Sequence, residues 1–206
     1  MKKPIFIAEI KTMSMFGFKT KYLRNTLIDV ALNYGDWISV HTDPRFGGSF
    51  DDIYFIRQKT DKPILAKGFH SHNDDVKKAF DLGADYVLVV DRYYSNPEGG
   101  INYNERVIHE ISNLNGSDIN WNLILNDTDD DRFYKWQPKV VYNGRSLDSG
   151  FSKKYIGDYE EYRKKAKWLC GASLIQKPED VQNLYPDCDA FIVGEHLVEF
   201  CNLLIS

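Results

Sequence analysis

The stretch IFIAEIKTMSMFG, residues 5–17, begins as an apolar run of strand character yet carries two charges, Glu9 and Lys11. Side chains alternate across a strand, so residues two apart share a face. Glu9 and Lys11 therefore project to one side, just before a loop that holds Ser14 and Gly17. Such a strand delivers an acid and a base to whatever lies at its C-terminal end.

Seven further runs of the same kind follow: WISVHT (37–42), PILAKG (63–68), YVLVVD (86–91), WNLILN (121–126), VVYNG (140–144), AKWLCGA (166–172) and AFIVGE (190–195). Between them, LRNTLIDVALNYG, HNDDVKKAFDLGA, NERVIHEISNLNG, YEEYRKKA and PEDVQNLY space their apolar residues by three and four, as helices do. Ser71 or Asn73 suits the cap of the helix in the second of these, Gly83 its end, and Pro178 the first turn of the last. Strands alternating with helices predict a parallel sheet in an α/β fold. Eight units predict a closed (β/α)8 barrel formed as a single domain over residues 1–206, with a doubly wound open sheet as the other arrangement. The stretch RYYSNPEGGINYN, residues 92–104, reads as a long loop after the fourth strand.

Composition narrows the function classes. The 206 residues are 43% hydrophobic and 27% charged, a globular and not a disordered balance. Net charge is -4, and the basic residues are dispersed, which argues against nucleic acid as a partner. No apolar run approaches the ~20 residues of a membrane span. Three cysteines, Cys170, Cys188 and Cys201, without metal-type pairing fit a reducing cytoplasmic setting.

In a barrel of this kind the reactive groups sit at the C-terminal ends of the strands. Glu9 and Lys11 fall at such an end, as do Thr42 and Asp43, Lys67, Asp91 and Arg92, Asn126 and Asp127, and Asn143 with Arg145. Strands seven and eight end in Gly171 and Gly194, whose backbone N–H groups suit either an anion cradle or an ordinary turn. This distribution matches a small phosphorylated substrate. Lys67 has no evident structural partner in the sequence, and a desolvated lysine can act as a proton donor near neutral pH. His41, His70 and His72 lack metal-site spacing and read as exposed loop residues, and NDTDDD (126–131) reads as a solvated helix start. No metal and no cofactor is expected.

The chain resembles the indole-3-glycerol phosphate synthase family along almost its whole length. IAEIKTMSMFG is similar to the family's AEIK-type first strand with its Ser-containing loop, SVHTDPRFGGSFDDI to SVLTD…F-x-GS…L, and PILAKGF to PVLRKDF. GADYVLVV, VVYNGRSL and the pair CGAS…PEDV…DAFIVGEHL are similar to GAD-x-(V/I)LL(I/V), GINNRNL and ESGI…EDV…DA-(V/F)-LVGE-x-L. The resemblance implies a TIM barrel of the ribulose-phosphate-binding type, with other tryptophan-pathway enzymes as associates. It implies a lyase that closes the indole ring of 1-(2-carboxyphenylamino)-1-deoxyribulose 5-phosphate with loss of carbon dioxide and water. By the same resemblance Lys67 is the general acid, and Lys11, oriented by Glu9, contacts the phosphate end and assists dehydration. Ser14, Gly171, Gly194 and Glu195 surround the phosphate, and Asn143 and Arg145 line the pocket. Three departures accompany this match. The family's strand-five carboxylate of an LVEVH-type run aligns with Leu125 in NLILND, its strand-seven Glu-Ser-Gly with Leu169, Cys170 and Gly171, and its KDF with KGF at Gly68. Strand one also starts four residues into the chain, without the N-terminal helical segment that covers the aromatic end of the substrate in the family. These departures keep two other readings open: a related barrel acting on a different sugar phosphate, and a non-catalytic barrel that binds a phosphorylated metabolite.

Overall fold

Strand β1 (Ile5–Ile10) pairs in parallel with β2 (Trp37–His41) on one side and with β8 (Ala190–Val193) on the other, and this closes the sheet on itself. Between them run β3 (Ile64–Lys67), β4 (Tyr86–Val90), β5 (Val107–Ser112), β6 (Lys139–Asn143) and β7 (Trp168–Ala172), giving a closed eight-stranded barrel in sequence order. The computed structural model describes residues 3–90, 105–112, 139–145 and 156–205. Among the described residues the strands are interleaved with α1 (Arg24–Tyr34), α2 (Asp51–Arg57), α3 (Asn73–Asp81), α4 (Ile156–Lys165), α5 (Pro178–Leu184) and α6 (Leu197–Leu204). Closure removes the unpaired sheet edges that an open arrangement would leave.

Alternation along each strand sorts side chains into two cores. Ile7, Leu65, Leu88, Ile108, Val141, Cys170, Ala190 and Ile192 fill the barrel interior. Residues of the opposite parity, such as Phe6, Ala8, Val40 and Ala66, pack outward against Leu27, Ile28 and Phe200 of the helices. At the N-terminal end Trp37 stacks on Tyr86 at 4.4 Å and on Trp168 at 5.7 Å, so the first residues of β2, β4 and β7 plug the barrel floor. The C-terminal end is left as the mouth.

Strand β5 overturns one expectation. The spacing of Val107, Ile108 and Ile111 suits a helix, but VIHEIS is a strand, paired with β4 (Val90 opposite Glu110) and with β6 (Glu110 opposite Val141). A strand buried on both faces shows no polar alternation, so three apolar positions fit either period. The run expected as the fifth strand, 121–126, lies outside the described residues, as do Asp91, Arg92, Asn126, Asp127 and the 92–104 loop. The cap of α3 is His72 instead of Ser71 or Asn73, with the Asp75 carboxylate accepting from the His72 backbone N–H. Gly83 follows in the left-handed region, φ +105°.

Gly171 is a second correction. It faces the helix layer and not the mouth: a Cβ there would lie 2.3 Å from Cγ of Tyr185. The glycine makes room for that ring, whose hydroxyl reaches the Ala172 carbonyl and, at 2.9 Å, the Ser173 carbonyl. Its role is packing and not an anion cradle. Gly171→Ala is expected to lower unfolding free energy by about 1–3 kcal/mol, the usual range for overpacking a close-packed core. Urea denaturation measures this, and an unchanged midpoint would contradict the packing role.

Candidate functional site

A cavity opens at the C-terminal mouth, and its lining includes Glu9, Lys11, His41, Lys67, Glu110, Asn143, Arg145, Ser173, Gly194 and Glu195. Both lysines singled out in the sequence thus reach one cavity. Their partners differ from the expectation. Glu9, 4% exposed, takes Lys67 Nζ and His41 Nε2 on the same oxygen, Oε1, each at 3.1 Å. Lys11 instead pairs with Glu195 at 3.0 Å. Lys67 therefore has a structural partner, and Lys11 is oriented from strand eight.

Burial alone would push the Glu9 carboxyl up, but the Lys67 ammonium, His41 and Lys11 outweigh it and hold the carboxyl well below the usual glutamate range. Burial likewise draws Lys67 down, and Glu9 followed by Glu110 outweighs it, so its ammonium is held more firmly than in water. This reverses the expectation of a lysine poised near neutrality. The surrounding carboxylates thus favour the charged form of Lys67, and its proton passes most readily to a partner that develops strong basicity. His41 is kept neutral, chiefly by burial, and its Nε2–H donates to the ionised Glu9.

Gly194 belongs to this cluster through sterics. A Cβ at residue 194 would sit 2.0 Å from Glu9 Oε2, so glycine at the end of β8 lets the carboxylate keep this position and a larger residue would displace it. Glu195 turns its own carboxylate to Arg145, at 2.5 and 3.1 Å, and to Lys11. Arg145 and Lys11 hold the Glu195 carboxyl below its usual range against the opposing effect of burial. A carboxylate accepts hydrogen bonds and repels phosphate, so Glu195 is the counter-charge of two cations and its side chain is not a phosphate ligand. Among the described residues, buried Arg145 Nε has no partner.

The same cavity holds a carboxylate that the sequence reading placed elsewhere. Glu110, 3% exposed, points inward from β5 and accepts from Asn143 Nδ2 at 2.5 Å. Asn143 is fixed in turn by Ser173 Oγ, donating at 2.6 Å, and by the Arg145 backbone N–H at 3.0 Å. The strand-five carboxylate is present, at Glu110 and not at the Leu125 position. The strand-seven positions that reach the mouth are Ala172 and Ser173, so the hydroxyl is also present and only the second carboxylate is absent. Leu169 faces outward with Gly171, and Cys170 lies in the inner core below the cavity. Ser173 and Leu174 both occupy the left-handed region, at φ 69° and 64°, a conformation costly for residues with side chains and found where a site demands it.

Ser14 does not line the cavity. Its hydroxyl accepts from the Phe16 and Phe18 N–H groups, each at 3.3 Å, and so shapes the loop that brings Phe16 to the rim. His41 and His70 are buried, at 4% and 1% exposure, not exposed loop residues as expected. His70 Nδ1 binds the Leu88 carbonyl at 2.7 Å and its Nε2 lies 3.0 Å from Thr42 Oγ1, a structural bridge between strands. His41 is a site residue that sequence reasoning missed. Its signal is the histidine that stands in SVHTD where SVLTD carries leucine, two residues after Ser39 on the inward face of β2.

A closed parallel barrel whose C-terminal mouth gathers ammonium, guanidinium and carboxylate groups has the layout of a barrel enzyme. Sequence comparison gives the family. The indole-3-glycerol phosphate synthase family matches residues 1–111, a span that includes Glu9, Lys11, Lys67 and Glu110. An indole-3-glycerol phosphate synthase of Staphylococcus aureus is 25% identical over 214 residues, covering 98% of this chain and 77% of that protein. The tryptophan biosynthesis protein TrpCF of Vibrio parahaemolyticus is 32% identical over 120 residues, 54% of this chain, and the match spans 25% of that protein. Among solved structures, phosphoribosylanthranilate isomerase of Thermotoga maritima superposes with a TM-score of 0.58 at 12% identity, covering 94% of this chain and 88% of that one, a likeness of fold. The chain belongs to the indole-3-glycerol phosphate synthase family.

Glu9→Gln is expected to destabilise the protein by about 3 kcal/mol at neutral pH, because it strips the nearest counter-charge from a buried ammonium. The native carboxyl titrates below its unfolded value, so its stabilisation is complete above the ordinary glutamate range and fades as pH falls through the depressed native value. Urea unfolding at pH 7 and in acid tests this. The gap between wild type and variant narrows in acid, and a gap independent of pH would contradict the ionised pair.

Proposed function

We propose that this chain closes the indole ring of 1-(2-carboxyphenylamino)-1-deoxyribulose 5-phosphate, releasing carbon dioxide, water and indole-3-glycerol phosphate. The observation that carries the reading is Glu110 facing the cavity that also holds Lys67, with Asn143 fixing the carboxylate. The ring carbon bearing the carboxylate attacks the substrate carbonyl while Lys67 donates a proton to the carbonyl oxygen. Loss of carbon dioxide returns the electrons of the broken carbon–carboxylate bond to the ring. Glu110 then removes a proton while the new hydroxyl departs as water, with Lys11 as its proton donor. Each such transfer is worth typically 10²–10⁴-fold in rate.

At the phosphate end, Arg145, Lys11 and the backbone at Gly194 are the groups suited to an anion, and Glu195 balances the two cations until the ligand arrives. The proposal includes a single barrel domain over 1–206, a cytoplasmic setting, and association with other tryptophan-pathway enzymes, the last suggested by the TrpCF name of one relative. A second reading, a related sugar-phosphate substrate, is favoured by Ala172, which leaves the strand-seven wall without the carboxylate of the Glu-Ser-Gly run.

Incubation with the carboxyphenylamino-ribulose phosphate, followed by indole fluorescence, tests both. Turnover is expected, with Glu110→Gln and Lys67→Ala each lowering kcat by about 100-fold or more. Absence of turnover at high enzyme concentration contradicts the first reading. If other sugar phosphates then raise the melting temperature, the second reading stands.

A further inference from the structure

Two donors share one carboxylate oxygen. Glu9 Oε1 accepts from Lys67 Nζ and from His41 Nε2 at the same distance, 3.1 Å. The other oxygen lies against Gly194, where no side chain fits. His41 is 4% exposed and stacks on Phe46 with ring centroids 4.5 Å apart and planes 14° from parallel, which leaves the imidazole little freedom to turn away. Among the described residues its Nδ1 has no hydrogen-bond partner, so the one polar contact of the ring among them is the bond to Glu9, alongside the stack on Phe46.

We infer that His41 is a positioning residue that sets the strength of Glu9 as a base and thereby the readiness of Lys67 to release its proton. This rests on the proposed ring-closing reaction, in which Lys67 is the donor. A carboxylate oxygen that accepts a hydrogen bond from a neutral imidazole shares its charge and is a weaker base. Glu9 then holds the Lys67 ammonium less tightly than it would alone, and the proton passes more readily to the substrate oxygen. The imidazole does this without adding a positive charge, because burial disfavours its protonation most strongly and the ammonium groups of Lys67 and Lys11 add to that against the opposing pull of Glu9. The other ionisable groups that act on it are Glu9 on β1, which favours the charged form, and Asp43 and His70, beyond the ends of β2 and β3.

Two substitutions separate the donor from the stack. His41→Phe keeps a ring on Phe46 and removes the N–H, whereas His41→Gln keeps an N–H of similar reach and removes the ring. With the carboxyphenylamino-ribulose phosphate as substrate, His41→Phe is expected to lower kcat by about tenfold with KM within about twofold, consistent with one charge-assisted hydrogen bond lost in the transition state. The acid limb of its kcat profile moves upward by about half a pH unit or more, as Glu9 becomes more basic. His41→Gln is expected to hold kcat within about threefold and to leave the limb in place. The reverse pattern, with Gln impaired and Phe near normal, or an unmoved limb in His41→Phe, would assign His41 to packing and overturn the inference. Should His41→Phe fail to fold, His41→Leu takes its place with the same expectation. A ligand-free arm uses 13C NMR titration of the Glu9 carboxyl, which moves upward in His41→Phe and not in His41→Gln. If the wild type shows no turnover, the ring-closing reading fails, and this titration alone decides whether His41 tunes Glu9; equal Glu9 titration in all three proteins refutes it.

Discussion

A carboxylate at the bottom of a cavity, nearly sealed from water, has to be matched by donors or it will not stay ionised. Glu9 meets that demand with Lys67 from β3 and His41 from β2, three residues from three consecutive strands. The match dictates much around it. Glycine at residue 194 leaves the carboxylate its place, which a Cβ would take, and residue 41 reaches inward because β2 is in register with Lys67 through His41. The barrel's closure supplies the rigidity that such a cluster needs, since strands paired on both sides cannot splay to relieve an unmatched charge.

A second cluster forms across the mouth with its own logic. Lys11 and Arg145 converge on Glu195, while Ser173 holds Asn143, which in turn donates to Glu110. The two share the loop after β6, because Arg145 gives its backbone N–H to the Asn143 side chain and its guanidinium to Glu195. Behind them Tyr185 passes through the space left by Gly171 and Gly144 to bind the carbonyls that precede the left-handed turn at Ser173 and Leu174. Packing of the helix layer thus reaches the cavity through the peptide backbone, and two glycines in the strand region serve a tyrosine and not a ligand.

How much of this was legible in the sequence depends on what surrounds each residue. The pairing of Glu9 and Lys11 on one face follows from strand parity alone, and seven of the eight strands are marked by β-rich runs bounded by turn residues. Strand β5 was hidden because its inward position is Glu110 and its outward one His109, leaving too few apolar residues to distinguish period two from period 3.6. With 121–126 read as the fifth strand, the family's carboxylate position falls on Leu125 and the site looks incomplete. The offset at strand seven has a different origin: Gly171 attracts attention as a strand-end glycine, yet parity turns it toward Tyr185 and gives the mouth to Ala172 and Ser173. Which charge meets which cannot be read from spacing, since Lys11 with Glu195 and Lys67 with Glu9 are contacts between distant segments.

The central claim is that the two lysines serve one bound molecule, with Lys67, Glu9 and Glu110 at its reacting end and Arg145 with Lys11 at its phosphate. A crystal structure of the protein with indole-3-glycerol phosphate tests it most directly. The account predicts the phosphate within hydrogen-bond distance of Arg145 and Lys11, and the indole between Lys67 and Glu110. A ligand that binds outside the mouth, or one whose indole lies against Arg145 with its phosphate at Glu110, would contradict it.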